Sequence, residues 1–351
     1  MIDPTLAVSA SELVAGRDYP SDLVELRAWF GDDAACLDYL EWLRWPQGVR
    51  CPRCGTSVVW RQSGVRYRCR ECWYTFSLTS GTIFAKTRTP LTVWFEVAWL
   101  MSADKGGVSA AHLHRVLPIN SYQTAWAMLA RLRQVMSSGG EPLRGRVEVD
   151  ESFFGGHRPG VRGRGALGKT LVAGAVELTD HGWGRARLAV IPDASTQSLR
   201  AFITANIAQG STILSDGLSS YPGALGGYLH EPINVSASGK RAHEVLPAVH
   251  RIFSLAKRMI EGTYQGCAGT GHLQEYLDEF IFRFNRRHSH HRGLVFRRLL
   301  ERAVASEPVT YRQLVRDPKS KVDQPRGVHG PRSSPGSLDT GHTDRPWRAN
   351  S

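Results

Sequence analysis

Asp150 closes a short run, Val147-Glu148-Val149-Asp150, and a stretch containing Gly155 and Gly156 follows it. An aspartate at a strand end, with room in front of it, is well placed to hold a metal ion. A second run, Thr212-Ile213-Leu214-Ser215, ends in the same way on Asp216. Two ionised carboxylates held close together repel, so such a pair makes chemical sense with cations bound. Further along, His250 and Lys257 are seven residues apart. That is almost two helical turns, so on one helix they stand along the same edge. Without such neighbours, a histidine and a lysine on a helix edge are ordinary solvated surface. Glu151 is left out of the set, because strand alternation turns it away from Asp150.

A second constellation lies earlier. Cys51-Pro-Arg-Cys54 and Cys69-Arg-Glu-Cys72 are two Cys-x-x-Cys pairs separated by fourteen residues. This spacing fits a four-thiolate tetrahedral zinc site on two β-knuckles, a zinc ribbon holding one structural Zn²⁺. Redox cysteines or two disulfides are the alternative. Six cysteines in 351 residues are too few for a secreted disulfide scaffold, so a reducing cytoplasm is expected. Arg53, Arg66, Arg68 and Arg70 are interleaved with Trp60, Tyr67, Trp73 and Tyr74. That mixture suits nucleic acid; a solvated face on a small module is the plainer reading.

The elements that must position these residues follow from periodicity. Residues 1–20 are read as a flexible N-terminus. Residues 21–85 hold two short helices, with Ser21 as a possible N-cap, and then the ribbon, with strands expected at Val58–Trp60 and around Tyr67. Residues 86–138 read as three helical pieces: Leu91 to Met101, Ala110 to Leu117 ended by Pro118, and Tyr122 to Met136 carrying Arg131 and Arg133. Short helix, tight turn and longer basic helix point to a helix-turn-helix-like DNA-binding region, with a plain three-helix packing unit as the alternative.

From about residue 139 the pattern changes to strands: Val147–Asp150, Lys169–Leu178 and Arg185–Ile191, with a hairpin turn at Gly182–Gly184. A helix over Ser195–Ala208 and a strand over Thr212–Ser215 complete the set. Three strands, a helix and a strand is the order of an RNase H-like α/β core, in which the first and fourth strands lie side by side. That adjacency brings Asp150 and Asp216 together. The glycine-rich segment 157–168, with Arg162 and Arg164, reads as a basic loop beside the site. A helix over Pro247–Glu261 carries His250, Lys257 and Arg258. A helix over His272–Phe284 is strongly amphipathic, with Asp278 and Glu279 assigned to its solvent side. Arg286 and Arg287 open a basic run suited to a DNA backbone. The core is bounded at 139–310, and residues 311–351 read as a disordered tail.

The bulk numbers agree with a nucleic-acid partner. The net charge is +12 and the isoelectric point is near 9.7, which favours a polyanion. No run of about 18 apolar residues marks a membrane span, and the polar start is unlike a signal peptide.

Taken together, these motifs resemble the IS1595-group insertion-sequence transposases, which have an N-terminal zinc ribbon and an ISXO2-like DDE domain. The resemblance covers roughly residues 20 to 305. It is carried by the cysteine pairs, Val-Glu-Val-Asp150-Glu-Ser-Phe-Phe-Gly-Gly, Ile-Leu-Ser-Asp216-Gly, Leu-Ala-Lys257-Arg-Met-Ile-Glu-Gly-Thr-Tyr and the segment from His272 to Arg287. It implies an RNase H fold and two divalent metals, Mg²⁺ or Mn²⁺, with Asp150 and Asp216 as the first two ligands. The third position falls on His250, a departure from an acidic residue, and Lys257 stands where a basic residue is expected. The implied activity is cleavage at terminal inverted repeats and transfer of the 3′-OH end to target DNA. The implied partners are double-stranded DNA and further copies of the chain, in a homodimer or higher multimer in the bacterial cytoplasm, associated with the nucleoid. Two other readings are a DNA-binding relative that has lost catalysis, motivated by His250, and a zinc-ribbon nuclease for repair or RNA processing.

Overall fold

The computed structural model describes residues 13–62, 65–137, 140–155, 169–233, 239, 241–266 and 271–315. The basic loop with Arg162 and Arg164, the tail beyond 315 and Cys267 lie outside them. The chain forms two compact units, one running to Trp99 and resuming at His291, the other spanning Leu100–His290.

In the first unit, helices α1 (Leu23–Trp29) and α2 (Asp33–Arg44) precede a three-stranded antiparallel ribbon, β1 (Val59–Arg61), β2 (Arg66–Cys69) and β3 (Thr75–Ser77). The N-cap of α1 is Asp22 rather than Ser21: its carboxylate accepts the Glu25 amide at 2.9 Å, while the Ser21 amide donates to Glu25 at 2.7 Å. Residues 13–20, expected to be loose, are folded. Tyr19 is buried, and the Asp18 carbonyl accepts from Tyr39 and from Arg297. Arg297 lies on the last long helix of the chain, Arg292–Ala305, so this stretch returns to the first unit instead of closing the core as expected. Gly293 makes the return possible: a Cβ there would stand 1.7 Å from the Pro20 carbonyl oxygen.

Helix α3 (Leu91–Ala103) crosses the division between units. The second unit begins with α4 (Ala110–Val116) and α5 (Tyr122–Met136), close to their expected bounds. The sheet strands are β4 (Arg146–Phe154), β5 (Thr170–Thr179), β6 (Gly182–Val190), β7 (Thr212–Ser215) and β8 (Leu229–Pro232), in the order β6-β5-β4-β7-β8. β4, β5 and β6 are antiparallel; β7 and β8 run parallel to β4. This is the RNase H-like mixed sheet expected from the strand order. β6 starts at Gly182, which pairs with Thr179, so the hairpin turn falls before the glycines. β8 carries no apolar alternation and was not legible.

Helix α6 (Thr196–Asn206), capped by Ser195, packs on one face of the sheet with the short helix α7 (Tyr221–Ala224). On the other face lie α9 (Pro247–Gly262), preceded by the short α8 (Ala242–Val245), and α10 (Leu273–Phe284). Strand alternation divides β4 between them: Val147 and Val149 enter the α6 side, Phe154 the α9 side.

α10 corrects one expectation. Glu279 is fully buried, not solvent-facing, and Asp278 is 8% exposed. Glu279 accepts from Arg133 of α5 at 2.7 Å, Arg283 at 2.6 Å and the Tyr264 hydroxyl at 2.8 Å. The Arg133 guanidinium also lies 4.2 Å from the Tyr276 ring. Burial alone would raise the Glu279 carboxyl, but the two guanidiniums outweigh it and hold it below its ordinary value. A buried ion cluster of this kind tolerates removal of a partner badly. Glu279→Ala is expected to cost about 3–5 kcal/mol, because two buried guanidiniums lose their counter-charge; calorimetric unfolding checks this. Because the folded pKa is depressed, the carboxylate's contribution is fully present above the unfolded value and fades as pH falls through the folded one. The gap between wild type and Glu279→Ala should therefore narrow only below the ordinary carboxylate range.

Candidate active site and metal centre

β4 and β7 pair in parallel through Arg146↔Thr212, Val147↔Ile213 and Glu148↔Leu214. Two residues further on lie Asp150, still inside β4, and Asp216, just past the end of β7. Asp216 follows the strand end and accepts the Leu218 amide at 3.0 Å, in a turn that Gly217 (φ +78°) permits. Asp150 is 7% exposed. Its carboxyl is pushed up to about 7, first by burial and then by the negative charges of Glu151, Asp216 and Glu148; the Glu151 amide works against the shift. This is a donor set that a cation would relieve.

Helix α9 supplies the opposite wall. His250 Nε2 stands 3.2 Å from Asp150 Oδ2. Lys257 Nζ donates to Ser152 Oγ at 2.7 Å and lies 5.1 Å from the Phe154 ring. Burial lowers the Lys257 pKa. Ser152, His250, Phe253, Lys257 and the exposed Arg258 line an open cleft of about 680 Å³. Gly174, paired with Asp150 across the sheet, lets α9 seat closely: a Cβ there would meet the Phe253 ring at 2.7 Å.

Sequence reasoning missed Glu148. α9 begins with Leu246 and Pro247 and has no side-chain cap of its own. The Glu148 carboxylate accepts the Val249 amide at 2.9 Å and also the Ala248 amide. One turn of strand from Asp150, it thus satisfies the exposed amides of the helix that carries His250 and Lys257. A glutamate inside an apolar strand, two residues before a candidate ligand, was the available signal. Glu151 points away, as expected, and accepts the Tyr221 hydroxyl at 2.7 Å on the α6 side.

The four ribbon cysteines converge. Their sulfurs all lie within 4.8 Å of one another, with Cys51–Cys72 at 3.6 Å and Cys54–Cys69 at 3.5 Å. Zinc–sulfur bonds of about 2.3 Å in a tetrahedron put sulfurs about 3.8 Å apart, so this set could hold a structural zinc.

Residues 142–285 match the ISXO2-like transposase domain, and residues 31–75 match the transposase zinc-ribbon domain. The chain thus carries both domains of the IS1595-type transposases. It is also 24% identical over 209 residues to an uncharacterized protein in transposable element ISH50 of Halobacterium salinarum, covering 55% of this chain and 70% of that one. The two transposase domains imply DNA binding. No helix among the described residues is long and apolar enough to cross a membrane.

The expected DNA-contacting arginines divide. Arg53, Arg66 and Arg70 are exposed on the ribbon and Arg68 is half-buried there. Arg131 is half-buried, and burial lowers its pKa. Arg133 is a correction: it is 2% exposed and committed to Glu279. Most of α5 is buried as well, leaving Tyr122 and Gln123 exposed at its start. Arg286 stacks on Phe282 at 3.9 Å and donates to its carbonyl; Arg287 stacks on Phe284 at 4.0 Å and donates to the Gly184 and Trp183 carbonyls.

Two outcomes are expected. Purified protein should carry about one zinc per chain, and a strong chelator should unfold the ribbon; metal analysis and circular dichroism read this, and metal-free folded protein would refute it. For Asp150, the folded pKa of about 7 lies above the unfolded value, so stability falls as pH rises through that window. Metal-free Asp150→Asn should therefore melt at the wild-type temperature at acid pH and several degrees above it at alkaline pH. Adding Mn²⁺ should raise only the wild type.

Proposed function

We propose that the chain is a DDE-type polynucleotidyl transferase that cuts DNA at the terminal inverted repeats of its element and joins the freed end to target DNA. The observation that supports this reading is the parallel pairing of β4 with β7 up to Glu148↔Leu214, which brings Asp150, inside β4, beside Asp216, just past the end of β7. Asp150 and Asp216 are the residues that would hold divalent metal. Two such ions, Mg²⁺ or Mn²⁺, would stabilise the attacking and leaving oxygens of an in-line displacement. His250, a nitrogen donor beside Asp150, suits Mn²⁺ better than Mg²⁺, and its imidazole can also orient water or the scissile phosphate. Lys257, steadied by Ser152, offers a cation to a phosphate oxygen, and Arg258 extends the same cleft toward a flanking phosphate.

Water attacks phosphorus, the bond to the 3′ oxygen breaks, and a 3′-OH is released. That 3′-OH then attacks a target phosphodiester, forming one phosphorus–oxygen bond as another breaks. No bond to the protein forms. Joining two element ends calls for at least two copies of the chain on DNA. A second reading, a DNA-binding relative without catalysis, is favoured by one observation: an imidazole, not a carboxylate, faces Asp150.

The test is cleavage of DNA carrying the element's terminal repeats, with Mg²⁺ or Mn²⁺. Asp150→Ala and Asp216→Ala should each abolish it, and Lys257→Ala should slow it about a hundredfold, the scale of losing one charge-stabilising donor. Equal cleavage by wild type and Asp150→Ala would sink the assignment. An inert wild type that gains cleavage as His250→Glu would establish the second reading.

A further inference from the structure

The two zinc knuckles share a backbone frame and differ in the residue at its left-handed position. The Cys51 amide donates to the Thr56 carbonyl at 2.9 Å, and the Cys69 amide donates to the Tyr74 carbonyl at 3.0 Å. Both spans are five residues, 56 − 51 and 74 − 69. The residue after the second cysteine of each pair takes a left-handed backbone: Gly55 with φ +78° and Trp73 with φ +58°. Glycine adopts that conformation freely, whereas a tryptophan there is strained. The core gives nothing back for it, since Trp73 is 61% exposed. Strain held at an exposed aromatic residue points to use rather than to packing.

Its surroundings say what it would meet. The Trp60 ring stands edge-on to Trp73, with centroids 6.2 Å apart. The Arg68 guanidinium lies 5.1 Å from the Trp73 ring and 5.8 Å from the Trp60 ring, and its Nε is buried without a hydrogen-bond partner among the described residues. Arg70 lies 5.3 Å from Trp60 and is exposed, as are Arg53 and Tyr74. A largely exposed indole with Arg68 against it, and with Arg70 and Arg53 against the Trp60 and Tyr74 rings, matches the chemistry of a base with its phosphates: the ring stacks on the base, and the cations meet the backbone.

We propose that Trp73 is a stacking wedge that receives an unpaired or unstacked DNA base, with Arg70 and Arg53 on the adjoining phosphates. This rests on the reading of the chain as a transposase and gives the ribbon a specific part in it: recognition of DNA opened or kinked near an end, beyond attraction to duplex in general.

The experiment uses the full chain at fixed salt. Fluorescence anisotropy compares a fully paired duplex with the same duplex carrying one unpaired base, and 2-aminopurine at the unpaired position reports stacking. Trp73→Gly should keep its zinc and melt no lower than wild type, since it relieves the strained backbone. It should bind the unpaired-base duplex roughly tenfold more weakly and lose the 2-aminopurine quenching, with Trp73→Phe in between. Its affinity for the paired duplex should change much less. The inference is overturned if Trp73→Gly binds both duplexes like wild type, if it weakens both equally, or if it loses zinc or melts lower. Tighter wild-type binding to RNA of the same sequence would also overturn it. A wild type that binds neither duplex would instead undo the reading of the chain as a DNA-acting protein.

Discussion

A carboxylate can ionise in a dry site only against opposing charge, and Asp150 imposes that condition on everything around it. Burial and three other carboxylates push its proton affinity up. No hydrophobic packing can relieve this; only cations or donors can. The parallel pairing of β4 with β7 concentrates the problem by bringing Asp216 beside it. The fold holds two like charges together, one buried inside β4, where the strand expected to end at Asp150 runs on to Phe154, and one just past the end of β7. The result is a carboxylate pair whose repulsion a bound cation would relieve.

The helix across the cleft is held to the same strand that carries Asp150. Glu148 fixes the start of α9 by accepting two of its amides, Phe253 lies over the bare backbone of Gly174, and Lys257 reaches back to Ser152. These contacts span the helix from its first turn to its third. A single strand therefore sets both Asp150 and the depth and pitch of the opposing wall. A shift of α9 would move His250 and Lys257 together relative to Asp150, so the geometry of the site behaves as one unit.

What the sequence revealed and what it hid follow a physical division. The cysteine pairs were legible because zinc geometry constrains spacing within a knuckle. The closeness of Asp150 and Asp216 was legible because strand order limits which strands can be neighbours. The helices from Ala110 to Met136 announced themselves by caps and apolar periodicity. Periodicity could not show that Arg133 and Glu279, 146 residues apart, neutralise each other in the interior. An arginine on a helix looks the same whether it faces a phosphate or a buried glutamate. Nor could it show that the chain returns to the first unit after His291, since that depends on a close backbone approach at Gly293. Glu148 escaped for a related reason: its partner is backbone, which leaves no mark in the residue pattern.

The same division bears on the 44 lysines and arginines, not all of which are free to meet DNA. Arg133 and Arg283 share the buried Glu279 carboxylate. Arg185 is held by Glu177, Arg297 by Glu301, and Arg287 by carbonyls of the β5–β6 hairpin. These guanidiniums stitch the fold together. Exposed positive charge remains on the ribbon, at Arg53, Arg66 and Arg70, and along the outer edge of α9, at Arg251 and Arg258. Counterion release follows the phosphates actually neutralised rather than the formal charge of the chain. The cations that count are thus those beside an exposed aromatic surface or beside the aspartate pair, where a phosphate contact can also orient the strand.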